Sequence, residues 1–435
     1  MNILIISYHP IYPFNNGASI AQFGIIEYLS KQCNISLLLP QWHTITDEDF
    51  NELKKLLPNI KLYAVSEQST LNAKSNEINT SAKLLNLIRN FKNNLQFLLR
   101  SIDIKNSSVT ATPEEKFARE LYPSRYYVYN QEYVEKINEI IWQDEIDIVQ
   151  LEFIETLSLV ATIPPNIKKI FIQHESGITR IKSHIDANQI NSCYADYILK
   201  IAQSIEVSLL KEFNAIVSFS EYENSILQAA LKATKNNIIF FVSPYAIHEN
   251  QFKDIDMEKF SPPRKLIFIG TEIHFPNKDA VEWFLEETAE EVFNKFGLEL
   301  HVVGNWSLNT IRKYQKHPSR VKFLGFVDDL YEVAKDSISI VPVRIGGGLR
   351  TKIMLSMAQG IPVICTEYAL QGITASHLES VLIAEDKNSF CWAIEYLLAD
   401  LERTFMICHN AQNLIKNNYS QSVVSKQRYK IYQNF

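Results

Sequence analysis

The sequence predicts an α/β protein with two doubly wound parallel-sheet domains that face a central cleft. Short apolar runs followed by segments of helical period recur in both halves, which is typical of parallel strands buried on both faces. A chain of 435 residues is too long for a single core. A polar stretch at 249–264 that contains Pro262 and Pro263 separates the halves. Between two such domains, a ligand is expected in the cleft at the carboxyl ends of the strands.

The first forty residues predict a strand–helix–strand unit. Residues 2–7 form an apolar run, and residues 10–17 carry the prolines, asparagines and glycine of a loop. A helix with an apolar stripe is expected at 20–29, and a second buried strand at 34–40. Further strands of this half are predicted at 147–151, 169–173 and 214–219.

The second half repeats this alternation. It predicts strands at 265–270, 298–304, 321–324, 339–342 and 362–365, and a helix at 279–293. We therefore expect an N-terminal domain at 1–250 and a C-terminal domain at 264–415. The last segment, 416–435, is expected to form a helix that returns to the N-terminal domain.

A polar insertion at about 66–131 interrupts the first domain. Within it, the segment from Lys83 to Ile102 has a helical apolar period, and residues 78–100 hold four basic residues and no acidic one. One interpretation is a basic amphipathic helix that contacts an anionic membrane surface. The other is a helix packed on its own domain with a solvated outer face.

Composition excludes several classes of protein. Lys and Arg total 43 against 49 Asp and Glu, a net charge of −6, which argues against a partner held by bulk positive charge such as nucleic acid. The apolar runs are too short to span a bilayer, and residues 1–7 lack the features of a signal peptide. Five widely spaced cysteines and ten scattered histidines show no disulfide or metal-ligand spacing, so a cytoplasmic protein without a metal site is expected.

The most informative stretch is a strand–loop–helix unit at 341–364. Gly346, Gly347 and Gly348 separate the strand from a helix predicted at about 349–358, and Gly360 ends that helix. Successive glycine amides at a helix entrance can converge on an anion. Three cations, Arg344, Arg350 and Lys352, add positive charge, and no acidic residue occurs from 337 to 365. The stretch predicts a diphosphate site; the alternative is a tight turn with a solvated basic edge.

Together with its surroundings, this stretch resembles the retaining glycosyltransferases of group 1, also called family 4, which have the GT-B fold of two Rossmann-like domains. The matching positions in the second half are Lys352, Met357, Ala358, Gly360, Pro362, Val363, Thr366, Gly372 and Ile373, preceded by 268–270, Pro276–Asn277 and 321–330. In the first half, the loop at 13–17, the residues Gln173–His174–Glu175 and the segment 213–221 resemble the family's pattern.

The resemblance implies that the domain at 1–250 is the acceptor side and that the domain at 264–415 binds the nucleotide sugar. It also implies roles for individual residues. His174 would face the transferred sugar and donate a hydrogen bond to a hydroxyl; the alternative is a buried histidine bonded to a carbonyl. Arg350 and Lys352 would screen the charge that grows on the leaving phosphate without a metal. The other donor-binding residues would be Gly17, Gly325, Phe326 and Val327, of which the last three meet the base, and Gly346, Gly347, Gly348, Leu349 and Thr351.

One position departs from the family. Leu355 stands where the family places a glutamate that holds the nucleotide ribose, and the family's other carboxylate corresponds to Gly347. Losing a charge-assisted hydrogen bond costs about 1.5–3 kcal/mol if nothing replaces it. Whether Glu367 replaces the missing glutamate stays open. Leu355→Glu should tighten nucleotide binding if the ribose lacks a partner, and no gain would mean that the site is rebuilt around Leu355.

Three hypotheses of function follow from the resemblance. The first is a transferase that moves a hexose from a nucleotide diphosphate sugar to a hydroxyl of a glycan, lipid-linked or other acceptor, as in cell-surface glycan biosynthesis, with no cofactor besides the donor. The second is a non-catalytic nucleotide-binding or regulatory subunit that partners an active transferase, which Leu355 motivates. The third is a nucleotide-sugar 2-epimerase on a similar scaffold. The first would act in the cytoplasm, including the inner face of the membrane if the 83–102 segment binds lipid.

Overall fold

A computed structural model describes residues 1–12, 17–40, 46–65, 128–187, 190–232 and 237–435. The predicted helix at 83–102 and the loop residues 13–16 lie outside the described residues. Gly17 is the first residue of the first helix.

The first half forms a parallel sheet with seven strands in the described part of the chain, in the order β3-β2-β1-β4-β5-β6-β7. Its strands are β1 (Asn2–Ser7), β2 (Asn34–Leu38), β3 (Ile60–Tyr63), β4 (Ile148–Glu152), β5 (Lys168–Gln173), β6 (Ala215–Ser218) and β7 (Ile239–Val242). Its helices are α1 (Gly17–Leu29), α2 (Asp47–Leu56), α3 (Gln131–Gln143), α4 (Gly177–Ala187), α5 (Cys193–Leu210) and α6 (Glu221–Leu231), with a 3₁₀ segment at Ile154–Thr162. Residues of alternate parity on β1 enter two apolar clusters, Ile3 and Ile5 on one face and Leu4 and Ile6 on the other.

The second half forms a second parallel sheet, with six strands among the described residues, in the order β10-β9-β8-β11-β12-β13. Its strands are β8 (Lys265–Ile269), β9 (Leu300–Val303), β10 (Lys322–Gly325), β11 (Ser337–Val341), β12 (Val363–Cys365) and β13 (Leu382–Ile383). Its helices are α7 (Phe275–Phe284), α8 (Glu290–Phe296), α9 (Leu308–Tyr314), α10 (Leu330–Ala334), α11 (Thr351–Ala358), α12 (Glu367–Leu370), α13 (Lys387–Ala399) and α14 (Leu401–Tyr419). The last helix is α15 (Gln421–Gln433).

These two sheets confirm the predicted fold class. Two predicted helices are present with different details. The helix expected at 279–293 is α7 and α8 joined by a π-helical turn at Leu285–Ala289, and the helix expected from about 349 begins at Thr351. Leu349 and Arg350 therefore belong to the loop that precedes α11.

The strand order determines which loops lie at a possible ligand-binding crevice. The order reverses between β1 and β4 in the first sheet and between β8 and β11 in the second. Loops that leave two such strands run in opposite directions and open a crevice at the carboxyl edge of the sheet. The glycine loop, Gly346–Gly348, follows β11 and so lies at the reversal point of the second sheet.

The chain crosses twice between the two sheets. The first crossing lies between β7 and β8, and the second lies where α14 meets α15. The amide of Ile247 in the first crossing donates to the carbonyl of Tyr419 at 2.7 Å, and the amide of Gln421 donates to Ile247 at 2.8 Å. Helix α15 then packs on α1, where the Gln421 side chain donates to the carbonyl of Gly24 at 2.9 Å. The domain boundaries at 250, 264 and 415 stay predictions.

None of the helices in the described ranges is both long enough and apolar enough to cross a membrane.

Candidate functional site

A cavity of about 890 Å³ lies between the two sheets, at the carboxyl ends of their strands. We call it the cleft. The first half contributes residues that directly follow β1, β4 and β5, namely His9, Phe153, His174 and Glu175. The second half contributes, among others, Asn277, Phe326, Val327, Gly347, Gly348, Leu349, Arg350, Thr351, Lys352 and Leu355. Most residues predicted to bind the donor thus lie together in one cavity.

Residues of the second half of the chain hold the glycine loop in shape. The guanidinium of Arg350 donates to the carbonyls of Gly346 at 3.1 Å and Gly347 at 2.7 Å, and also to that of Gly348. The hydroxyl of Tyr368 on α12 donates to the carbonyl of Gly346. Gly346 and Gly348 have φ values of 95° and 74°, which a residue without a Cβ adopts at little cost.

Arg350 contacts the backbone of the loop, and its role toward a phosphate stays a prediction. Its side chain is 9% exposed, and its donors point at loop carbonyls. A guanidinium in that position stabilises the loop and turns the opposite side of each peptide, the amide, toward the cleft. Arg344, counted among the nearby cations, is exposed and forms an ion pair with Asp279 at 2.8 Å.

Each amide of the glycine loop donates to a side chain of the first half. Gly346 donates to Ser183 Oγ at 3.0 Å, Gly347 to Glu175 Oε1 at 3.1 Å, and Gly348 to Glu223 Oε1 at 3.0 Å. Two of the three acceptors are carboxylates. The amides of Gly347 and Gly348 thus lie against carboxylate oxygens, and the diphosphate site stays a prediction.

Buried carboxylates surround these contacts. Burial and the nearby Glu175 raise the pKa of Glu223 to about 7. Its second oxygen, Oε2, is buried without a hydrogen-bond partner. Burial also raises the pKa of Glu206 to about 7, although the amides of Gly177 and Ile178 donate to it. Burial therefore favours the neutral form of both Glu206 and Glu223.

Lys352 supplies positive charge to the cleft. Its ammonium donates to Asn277 Oδ1 at 2.5 Å and lies 4.2 Å from the ring centre of Phe268. Burial, with a smaller contribution from Arg350, lowers the pKa of Lys352 to about 7. Asn277 is itself fixed by donating to the carbonyl of Thr271 at 3.0 Å. The ammonium is thus directed into the cavity and incompletely charged in the absence of an anion.

His174 forms a hydrogen bond with a carboxylate. Its Nε2 lies 2.9 Å from Glu152 Oε2, and the other oxygen of Glu152 accepts from Gln150 Nε2 at 2.5 Å. Gln150 in turn accepts from Tyr432 of α15. Burial lowers the pKa of His174, so its ring is neutral with the proton on Nε2. Its free nitrogen, Nδ1, is then an acceptor, whereas the resemblance implies a donor.

Aromatic packing fixes the His174 ring. The Phe153 ring stacks on it, with 3.6 Å between the ring centres. The His9 ring meets the Phe153 ring edge-on, with 4.6 Å between their centres. Phe153 has φ 73°, a costly conformation for a residue with a side chain, which packing at a site can maintain. Burial and the nearby His174 lower the pKa of His9 to about 4.

Of the three residues predicted to meet the base, two line the cleft and Gly325 does not. Phe326, 67% exposed, and Val327 line the cavity. Gly325 ends β10 with φ 70°, and its carbonyl accepts the amide of Gly304 at 2.8 Å. Gly346 lines a neighbouring cavity of about 310 Å³ together with Arg180, Ser183 and Phe275.

Leu355 lines the cleft, whereas Glu367 does not. Glu367 is exposed at the start of α12, outside the described residues that line the cavity, and its amide donates to Glu385. Gln359, one helical turn after Leu355, does line the cavity.

Sequence reasoning missed Glu152, Ser183 and Glu223. Their only signal was position: Glu152 ends β4, and the other two lie on helices that follow β5 and β6. Among the described residues, no group of three or more His, Cys, Asp or Glu side chains is arranged to hold a metal ion.

Comparison with known proteins agrees with this geometry. Residues 263–400 match the family model described as "Glycosyl transferases group 1". No curated protein matches the chain.

Solved structures align over almost the full length. Sucrose-phosphate synthase from Thermosynechococcus elongatus is 14% identical, with a TM-score of 0.65 and coverage of 100% of this chain and 98% of that one. HepE of Anabaena in complex with UDP-glucose is 11% identical, with a TM-score of 0.61 and full coverage of both chains. A variant of S. aureus TarM in complex with fondaparinux, α-GlcNAc-glycerol and UDP is 12% identical, with a TM-score of 0.64 and coverage of 99% and 100%. The chain has the two-domain GT-B fold of these structures, and its residues 263–400 match the group 1 glycosyltransferase model.

Proposed function

We propose that this protein is a retaining glycosyltransferase that moves a hexose from a nucleotide diphosphate sugar to a hydroxyl acceptor. The observation that carries the proposal is the glycine loop, whose three amides all point toward acceptor oxygens at the reversal point of the second sheet. The group 1 match over the same domain and the UDP-glucose and UDP complexes of structural neighbours support this choice of ligand. Retention and the hexose rest on the family resemblance.

The acceptor oxygens in the structure indicate where phosphate oxygens would bind. Glu175 and Glu223 place carboxylate oxygens 3.1 and 3.0 Å from the amides of Gly347 and Gly348. A diphosphate would replace these oxygens, with Lys352 and the N-terminus of α11 adding positive potential. The same groups would stabilise the charge that grows on the leaving phosphate, so we propose that transfer needs no divalent cation.

His174 would position the transferred sugar. Its Nε2–H donates to Glu152, which leaves Nδ1 to accept a hydrogen bond from a sugar hydroxyl. The stacked Phe153 ring prevents the imidazole from turning. We therefore propose that His174 acts as a neutral acceptor.

Incubation of the full chain with a panel of nucleotide sugars tests the function. Time-dependent release of the nucleoside diphosphate, increased by a hydroxyl acceptor, is the expected result. Tight binding without turnover would favour a non-catalytic subunit. Recovery of an isomerised nucleotide sugar would favour an epimerase.

Donor binding is expected to strengthen as the pH falls from 8 to 6. Over this range Lys352 gains a positive charge and Glu223 loses a negative one, since both have a pKa of about 7. We expect about a tenfold gain in affinity for an intact nucleotide sugar, whose diphosphate does not titrate here. Calorimetry in buffers of different ionisation enthalpy should show proton uptake at pH 7.5. Affinity that is constant or falls toward pH 6 would contradict the assignment of these two groups.

Glu152→Gln is expected to lower kcat about tenfold to hundredfold and to change the donor KM less than about twofold. The carboxylate fixes the tautomer of His174, and an amide holds it less firmly. Steady-state donor turnover measures both constants, with Glu139→Gln on the exposed face of α3 as the control. A rise in KM at constant kcat would assign Glu152 to donor binding instead.

The partners and location follow from the same chemistry. We propose that the acceptor is a glycan or lipid-linked hydroxyl, as in cell-surface glycan synthesis, and that the basic segment from Lys83 to Ile102 contacts anionic lipid. Five cysteines without disulfides, all within the described residues, support a reducing, cytoplasmic setting. Salt-sensitive binding to anionic liposomes would support the membrane contact, and its absence at low ionic strength would oppose it.

A further inference from the structure

A chain of hydrogen bonds links His174 to the last helix of the protein. His174 Nε2 lies 2.9 Å from one oxygen of Glu152, and Gln150 Nε2 donates to the other oxygen at 2.5 Å. The hydroxyl of Tyr432 on α15 donates to Gln150 Oε1. Gln150, Glu152 and Tyr432 are buried, so bulk water does not compete for these contacts. The chain therefore runs from the wall of the cleft through the interior to α15.

The donors in this chain all point toward Glu152. Gln150 and Glu152 are two positions apart on β4, so their side chains lie on the same face of the sheet. Burial raises the pKa of Tyr432 to about 12, so its hydroxyl keeps the proton that it donates to Gln150. Because that proton occupies the amide oxygen, the NH₂ group of Gln150 is left to donate to Glu152. Tyr432 thus acts on the carboxylate that holds His174 without itself lining the cleft.

A buried cation on α15 fixes the same face of the helix. Arg428 and Tyr432 are four positions apart and therefore neighbours on the helix surface. Arg428 is 1% exposed, and its guanidinium donates to the hydroxyl of Ser243 at 3.1 Å and to the carbonyl of Ser243 at 3.4 Å. Burial is the main cause of the lowered pKa of His174, and the positive charge of Arg428 also lowers it. Helix α15 thus anchors its tyrosine and favours the neutral form of the histidine.

We propose that Tyr432 is a positioning residue, which acts through Gln150 and Glu152 to hold the imidazole of His174 in the orientation that sugar transfer needs. The proposal rests on the proposed function, since it assumes that His174 contacts the transferred sugar. Without the hydroxyl of Tyr432, Gln150 Oε1 would be buried without a donor, and the amide would no longer be fixed against Glu152. The loss should therefore affect turnover more than donor binding.

Tyr432→Phe tests the proposal, because it removes one oxygen and keeps the buried ring. We expect kcat for donor turnover to fall about threefold to tenfold, the equivalent of one neutral hydrogen bond, while the donor KM changes less than about twofold. In Glu152→Gln protein the same substitution should have no further effect on kcat, because the carboxylate through which Tyr432 acts is already absent. Tyr429→Phe, at a half-buried tyrosine of the same helix, should leave kcat unchanged.

Nuclear magnetic resonance of the full chain, labelled with ¹⁵N at its histidines, gives a readout that needs no substrate. His174→Gln identifies the imidazole signals of His174, and the signals of the other histidines report whether each variant is folded. The Nε2–H resonance of His174 should shift in Tyr432→Phe and stay in place in Tyr429→Phe.

The outcomes separate this proposal from the proposed function. An unshifted resonance in folded Tyr432→Phe protein, or a fall in kcat that adds in full to that of Glu152→Gln, would overturn the positioning role and leave the glycosyltransferase proposal standing. A shifted resonance in a protein that turns over no nucleotide sugar would overturn the proposed function, and with it the role of this hydrogen-bond chain in sugar transfer.

Discussion

Lys352→Met is expected to weaken the binding of a nucleoside diphosphate by about tenfold to hundredfold, the loss of one charge-assisted hydrogen bond. Methionine keeps the unbranched shape of the side chain and its contact with the ring of Phe268 but removes the ammonium that faces the cleft. The effect should be largest near pH 6, where the lysine is charged. Titration calorimetry at pH 6 and 8 measures it.

The variant should remain folded. Burial lowers the pKa of Lys352 to about 7, so the charged form is already unfavourable without an anion, and its removal should not lower the melting temperature. Lys335→Met, at an exposed lysine paired with Glu332, is the control. Unchanged affinity in a folded Lys352→Met protein would remove Lys352 from the proposed site. Arg350→Ala, in contrast, is expected to lower the melting temperature, because the guanidinium holds three loop carbonyls.

Glu175→Gln combined with Glu223→Gln is expected to tighten nucleoside diphosphate binding at pH 8 by at least about tenfold. Both carboxylates lie at the amides that the diphosphate needs, and like charges a few ångströms apart at partly buried positions repel by about 4 kcal/mol at an effective dielectric constant of 20. Glutamine keeps the size and an acceptor oxygen but carries no charge.

The control is Glu221→Gln, at an exposed glutamate on the first turn of the same helix as Glu223. Calorimetry at pH 8 and at pH 6 separates the contributions, since Glu223 is largely protonated at the lower pH and its replacement should matter less there. Weaker binding in the double variant would show that the carboxylates assist the nucleotide, and the view of them as occupants of the phosphate position would be wrong.

Local patterns in the sequence predicted the parts of the site that depend on local structure. A strand, three glycines and a helix follow one another at 341–358, so the position of the glycine loop at a sheet edge could be inferred without other information.

Contacts between distant residues could not be inferred. Gly347 and Glu175 are 172 positions apart, and no pattern around either residue indicates the other. The direction of a charged side chain could not be predicted either, because Arg350 and Lys352 are two positions apart and both are basic. In the structure, Arg350 donates to the carbonyls of the glycine loop, whereas Lys352 donates to the side chain of Asn277.

The two connecting segments at Ile247 and Tyr419–Gln421 form a hinge between the two domains. Two backbone hydrogen bonds join these segments, so the domains can separate mainly by rotating about this one axis. Opening about this axis would separate the amides of the glycine loop from Ser183, Glu175 and Glu223, so that a nucleotide sugar would meet these amides unoccupied before the lobes close.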